Sequence, residues 1–409
     1  MLQRIWLSFF LIAALASFYQ WLWLGNNQIF TELIQAMFAM SKTSVEIAIG
    51  LIGALSLWLG IFRIAEHNGW ISKIAQWLTP LFKRLMPDIP ANHPAISSIS
   101  MNLSANVLGL DNAATPLGIK AMQDLQTLNN KPDTASNAQI LFLVLNTSSV
   151  TLFPIFVFVY RTQQGAAVPT DVFLPILLTT SCSSIAGLLA VAFVQRINLL
   201  HHIVLLYAAI GFSVLGGLLL YFITLPSHLV GEQSALLANL LIFSFILGVL
   251  ISAHRQKLDA YSLFIDGAKE GFQQAINLIP YLLAMLVAIA VLRASGSIDL
   301  LVSAVASGVS ALGFNPQFVE ALPTAIMKPL SGSGARAMMI ETMQIHGADS
   351  FPGRLSAVFQ GSTETTFYVL AVYFGAVGIK HSRHAVPCAL IADGTAIIVG
   401  TVIAYIFFG

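Results

Sequence analysis

The sequence predicts an all-α polytopic membrane protein, an inverted repeat with two re-entrant helical hairpins, and three observations predict it. Of the 409 residues 57% are hydrophobic and 9% charged, and the mean hydropathy of +0.81 lies far above that of soluble domains. Apolar runs long enough to cross a bilayer recur along the chain. Two polar stretches broken by glycine and proline, 95–123 and 319–344, sit among those runs at matching places. Neither stretch can face lipid as a straight helix, because unpaired backbone groups in hydrocarbon are costly.

In chain order the runs are 4–24, 44–65, 138–160, 171–194, 202–224, 233–252, 275–294, 355–378 and 384–408, nine in all. The first begins after Arg4 like a signal peptide, but it continues for about 20 residues and closes on Trp21 and Trp23, marking a retained span. With Arg4 inside, the cytoplasmic loops carry Lys73, Lys83, Arg84, Arg196, Arg255, Lys257, Lys269, Lys380 and Arg383. The opposite side receives Lys42, Arg161, Arg293 and Arg354. This positive-inside asymmetry suits a bacterial inner membrane with a cytoplasmic N-terminus, provided each polar stretch returns to the side it entered.

The halves align with a shrinking offset, as small loop deletions would produce. A shift of 227 places Lys42 on Lys269, Ala48 on Ala275, Gly69 on Gly296 and Ile71 on Ile298. Shifts of 221, 215 and 212 then align Met122 with Met343, 146–151 with 361–366, and Pro175 with Pro387. Each repeat is a span, an amphipathic connector (70–86 and 298–312), a hairpin and two more spans. The predicted organisation is an N-terminal span and loop over 1–43, a first repeat over 44–194, linking spans over 195–266 and a second repeat over 267–409. Three crossings in the first repeat and two linking spans together make the second repeat enter from the opposite side, a recurring design of alternating-access carriers.

Composition also excludes function classes. A net charge of +1 leaves no electrostatic footprint for nucleic acid. Cys182 and Cys388 lie far apart inside predicted spans and suggest neither a disulfide nor a metal cluster. No Walker sequence, H-E-x-x-H spacing or paired acids appear, so neither an enzyme nor an ATP-driven pump is expected. His201 and His202, at a cytoplasmic helix start, either meet a lipid headgroup or, as is commoner for loop histidines, are simply solvated.

In the first hairpin Asn102, Ser104, Asn106, Asp111, Asn112 and Thr115 gather around Gly109 and Pro116. Gly109 permits an unusual turn, Pro116 suits the first turn of a following helix, and Asp111 or Asn112 is the expected cap. Amides and hydroxyls can bind a solute or cation at small charge cost. In the second hairpin Lys328, Ser331, Ser333 and Arg336 flank a Ser-Gly-Ser-Gly turn whose backbone amides form an anion or carbonyl site. Lys328 and Arg336 either attract an anionic group or snorkel to the interface.

The spans after the hairpins carry polar runs of their own. Gln360, Ser362, Thr363, Glu364 and Thr366 interrupt an apolar segment in which Glu364 is the only acid, and an ionisable group inside a span marks a functional site by default. Asn146, Thr147, Ser148 and Thr151 answer it in the first half. Asp393, aligned with Ser181, is either a coupling residue or a structural partner of a buried base. Ion coupling is assigned to Asp111, Glu364, Asp393, Thr366 and Thr151, and substrate binding to Asn102, Ser104, Asn106, Asn112, Asn146, Thr147, Ser148, Lys328, Ser331, Ser333, Arg336, Gln360, Ser362, Thr363 and again Glu364.

These residues also carry a resemblance. The first half, with Lys42–Glu46 (KTSVE), Leu57–Gly60 (LWLG), Ile64–Glu66 and Asn102–Pro116, resembles spore maturation protein A. The second, with Gly267–Gly271, Ile279–Tyr281, Pro323–Ala335 and Gln360–Tyr368, is similar to spore maturation protein B. Both families belong to the nucleoside-recognition, or Gate, group, which distantly resembles concentrative nucleoside transporters and the membrane part of the ferrous iron transporter. No cysteine lies in either hairpin, unlike the iron branch.

The resemblance implies a secondary carrier with two hairpins. The expected function is alternating-access transport of a small polar solute (nucleoside, amino acid or organic anion) coupled to sodium or protons. No cofactor is expected beyond a sodium ion, and the expected partners are the solute, the lipid bilayer and further copies in a homo-oligomer. The alternatives are a flippase or scaffold for lipid-linked envelope material and a non-transport membrane assembly protein.

Overall fold

The computed structural model describes residues 2–90 and 92–409, and the side chains at 2, 111, 112, 227 and 228 lie outside that description. The predicted roles of the Asp111 and Asn112 side chains therefore fall outside the described residues. Among the described residues the chain is helical, with no strand. In order the helices are α1 (Leu2–Leu24), α2 (Ile29–His67), α3 (Trp70–Leu85), α4 (Pro94–Val107), α5 (Asp111–Gln126) and α6 (Asn137–Thr147). There follow α7 (Ile155–Gln163), α8 (Phe173–Gln195), α9 (His202–Thr224), α10 (Ser227–Arg255), α11 (Ala260–Ala294) and α12 (Ser297–Ala311). A 3-10 helix (Pro316–Ala321) leads into α13 (Leu322–Leu330), α14 (Gly332–His346), α15 (Phe351–Ser362), α16 (Thr366–Gly375) and α17 (Ala385–Phe408).

Seven of these helices (α1, α2, α8, α9, α10, α11 and α17) are long and apolar enough to cross a membrane. The other two expected spans are not single helices: 138–160 divides into α6 and α7, and 355–378 into α15 and α16. Their polar runs cause this. Serine and threonine offer the backbone competing hydrogen bonds, and Pro154 disfavours helix in the residue before it. Helix α2, with 39 residues, would extend about 58 Å, well beyond the ~30 Å of hydrocarbon. Lys42 and Lys269, expected in loops, consequently lie on helices and pair with Glu46 at 3.6 Å and Asp266 at 3.3 Å.

The internal repeat is visible in the helix boundaries. Gly69 and Gly296, 227 apart, both take left-handed φ values (79° and 69°) and both cap the connector helices α3 and α12. Helices α5 and α14 begin at residues 111 and 332, 221 apart. Helices α6 and α15 end at residues 147 and 362, 215 apart. Pro175 and Pro387 are each the third residue of their helices, α8 and α17.

Two compact units cut across the repeats. One comprises Met1–Gly60, Phe156–Val168 and Ile265–Gln360, and the other Ile61–Ile155, Pro169–Phe264 and Gly361–Gly409. In the first unit, Trp6 donates Nε1–H to the Ala284 carbonyl at 3.0 Å and Gln20 donates to Ser295 at 2.9 Å, fixing α1 along α11. A Cβ on Gly271 would stand 2.6 Å from the Leu55 backbone, so glycine allows α2 and α11 to touch main chain to main chain. Fully buried Arg161, at the end of α7, donates to the Ala348 carbonyl at 2.7 Å and to Asp349 Oδ1 at 3.0 Å. Asp349 Oδ2 in turn accepts the Ala167 N–H at 2.8 Å.

In the second unit, α8 packs along α17 and α6, with Ser183 donating to the Ala392 carbonyl at 2.9 Å. Helix α4 packs along both α5 and α3. The core beneath this hairpin is continuous and apolar, drawing Ile99, Met122, Leu125, Phe142 and Leu143 into one cluster. His201 caps α9 by accepting the Ile203 N–H at 3.2 Å, and partial desolvation with His202 and Arg84 nearby holds its pKa below the usual value.

Candidate functional site

The first hairpin turns at Gly109, whose φ of 74° favours glycine and where a Cβ would lie 2.5 Å from the Phe153 carbonyl oxygen. Leu152 donates its N–H to the Val107 carbonyl at 2.7 Å. The hairpin tip is thereby seated on the break between α6 and α7. Helix α5 begins earlier than expected, with Leu110 as its N-cap, so Asp111 is a helical residue and Pro116 lies inside the helix.

Both breaks lie at this place within the second unit. Glu364, in the α15–α16 break, donates its N–H to the carbonyl of Thr147, the last residue of α6, at 2.8 Å. Thr147 is buried, and its carbonyl is one of those a helix C-terminus leaves without an intrahelical partner. The C-terminal end of α6 and the N-terminal end of α16 thus meet, bringing helix ends of opposite partial charge together.

Around that crossing the predicted amides join into a network. Asn106 donates to Asn146 Oδ1 at 2.8 Å, and Asn146 donates to the Phe142 carbonyl at 2.9 Å. Asn102, fully buried, donates to the Ala114 carbonyl at 2.7 Å and lies 3.3 Å from the Tyr373 hydroxyl, which also reaches Asn146 Oδ1 at 3.4 Å. Asn102 Oδ1 accepts no hydrogen bond among the described residues. Tyr373 stacks on Phe142 with ring centroids 5.8 Å apart. A Cβ on Gly118 would stand 2.1 Å from its hydroxyl, so glycine makes room for the ring. Nothing in the local sequence pattern distinguishes Tyr373 from membrane-facing aromatics; its one signal is a hydroxyl in an apolar run.

The hydroxyl residues divide into structural and candidate roles. Ser104 donates to the Ser100 carbonyl at 2.6 Å, and Thr147 and Ser148 each donate to the Val144 carbonyl at 2.9 Å, ordinary back-bonding in helices. The Ser148 and Ser149 carbonyls instead accept from α8, through Ser184 and, at 2.8 Å, Thr180. Thr151 lies beside Gly109. Ser362 and Thr363 are buried and Glu364 half-buried. Thr366 donates to Asp393 Oδ2 at 2.7 Å, both residues being buried, so two predicted coupling residues form one hydrogen-bonded pair. The aligned Ser181 bonds its own helix at Leu177.

Lys328, Ser331, Ser333, Arg336 and Gln360 belong to the other unit. There Ser331 is the whole turn between α13 and α14, and its Oγ accepts the Gly334 N–H at 3.0 Å. One amide expected to hold a ligand is therefore taken by the cap itself. Arg336 lies over the Tyr160 ring at 5.7 Å, and Lys328 is buried. Among the described residues no three His, Cys, Asp or Glu side chains gather as a metal site.

A family model described as nucleoside recognition (Gate) matches residues 48–162 and 275–380, more than half of the chain and one match in each repeat. The chain belongs to the Gate family. Spore maturation protein B of Bacillus subtilis (strain 168) is 42% identical over 164 residues, covering 40% of this chain and 90% of the relative. Spore maturation protein A of the same organism is 40% identical over 163 residues, covering 40% of this chain and 83% of the relative. No solved structure matches the chain. The Gate protein is thus a multi-pass membrane protein whose family matches each contain an interrupted helix pair.

Proposed function

We propose that this Gate protein is a secondary carrier of a small polar solute, with nucleosides the first class to test, and that it performs no catalysis. The observation that carries the proposal is the bond from Glu364 N–H to the Thr147 carbonyl at 2.8 Å, which joins the breaks of two repeat-related helices. Irregular backbone at membrane depth is tolerated where it is buried in protein or lines a cavity, and discontinuous helices form the sites of inverted-repeat carriers. Buried Asn102 Oδ1 offers an acceptor to a solute N–H or O–H. The family description, nucleoside recognition, supports the same class.

On this proposal both hairpins re-enter the side they leave, the repeats are inverted, and the N-terminus lies in the cytoplasm of a bacterial inner membrane. Thr366 and Asp393 supply oxygen ligands of the kind a hard cation prefers, making them the coupling pair. The test is uptake of nucleosides into proteoliposomes with and without a sodium or proton gradient. Asp393→Asn is expected to retain solute binding, seen as a thermal shift, while abolishing gradient-driven accumulation. Wild-type protein that neither binds nor accumulates any nucleoside overturns the substrate class, and an Asp393→Asn protein with full gradient dependence overturns the coupling assignment.

A further inference from the structure

The two hairpins are held differently. Helix α14 of the second hairpin is tied to the end of α11: the Arg293 guanidinium grips the Glu341 carboxylate through Nε and, at 3.2 Å, Nη2, while its Nη1 reaches Asp299 at 2.7 Å. Glu341 is 5% exposed, so this charge has been taken out of water and depends on its partner. The registers carried by the helix boundaries place Glu66 at the position of Arg293 and Lys120 at the position of Glu341. The first repeat therefore carries the same two charges with their signs exchanged.

In this conformation those charges are turned to neighbours on their own helices. Glu66 pairs with Arg63 at 3.2 Å and Lys120 with Asp124 at 2.5 Å. The Glu66 and Lys120 side chains are 41% and 60% exposed, against 20% and 6% for Arg293 and Glu341. The first hairpin is instead seated by α4 lying along α3, whereas α12 meets the second hairpin through the 3-10 helix. One repeat thus shows its hairpin tied to the preceding long helix, and the other shows it released.

We propose that Glu66 and Lys120 form the charge-reversed counterpart of the Arg293–Glu341 pair in a second conformation of the first hairpin. The exchange has unequal costs at the two positions. The Glu66–Arg63 pair is exposed and contributes little, so Glu66 leaves Arg63 at small cost. Asp124 is buried, so Lys120 leaves it at a real cost, offset in part by the Ser98 hydroxyl that still donates to Asp124 at 2.5 Å and by the burial of the new pair with Glu66. Glu66, Lys120, Arg293 and Glu341 are then positioning residues: they touch no solute and set where each hairpin rests. The inference leans on the carrier proposal for its purpose alone, since the two conformations are measurable without a solute.

The test is pulsed electron paramagnetic resonance on the full chain in lipid bilayers. Cys182 and Cys388 are first replaced by alanine, and spin labels are placed at the exposed neighbours His67 and Gln123, leaving Glu66 and Lys120 intact. Two distance populations are expected. Glu66→Gln should remove the shorter one, and exchanging the charges with Glu66→Lys and Lys120→Glu should restore it. A single distance, or two populations that neither variant shifts, overturns the proposal. Two populations in a protein that transports no nucleoside leave it standing and count against the function proposed above.

Discussion

At the scale of single residues, the site is a network of amides in which each group has few spare partners. Asn146 accepts from Asn106 and Tyr373 and donates to Phe142, so Asn146→Ala removes three bonds at once. It should cost about 1–3 kcal/mol, the usual penalty for stranding buried polar groups, and should lower the thermal midpoint while abolishing any solute-induced shift. Gly109→Ala meets two obstacles, a left-handed backbone and the Phe153 carbonyl at 2.5 Å, and should destabilise by about 1–3 kcal/mol in the same assay. The sequence displayed the members of this network as amides in apolar surroundings. It concealed Tyr373, whose partners lie 271 and 227 residues away, because separation of that kind leaves no local pattern.

At the scale of elements, periodicity and length located the seven long helices, since continuous apolar runs admit few other structures in lipid. The interrupted pairs were harder. Their composition passes for a span, and the interruption depends on hydroxyls and carbonyls finding partners elsewhere, as the Thr147 carbonyl does in Glu364 N–H. The seating of α7 is a separate matter of buried charge. Arg161→Met should leave Asp349 with only the Ala167 N–H and Arg354 beside it, costing about 2 kcal/mol, less than a fully buried pair because Asp349 keeps a side exposed to water. Denaturation of purified Arg161→Met protein measures this, and an unchanged midpoint would show that the contact is incidental.

At the scale of the whole molecule, the repeat boundaries predict membrane topology. If the repeats are inverted, the residues flanking Gly69 and Gly296 lie on opposite sides of the membrane. A membrane-impermeant thiol reagent should therefore modify His67→Cys from one face of intact spheroplasts and Asp299→Cys from the other. Modification of both from the same face contradicts inversion. The duplication was legible because polar landmarks kept their order across the halves. The compact units were not, since each is assembled from segments of both repeats and no stretch of sequence announces that exchange.

The two interruptions also differ in length. Between α6 and α7 lie seven residues, 148–154, and between α15 and α16 only three, 363–365. Fully extended, these reach about 23 Å and about 10 Å. The longer joint is nonetheless pinned along its length, by Thr180 on the Ser149 carbonyl and by the Leu152 N–H on Val107, so a residue deleted from 148–154 should unseat the first hairpin as well as shift α7.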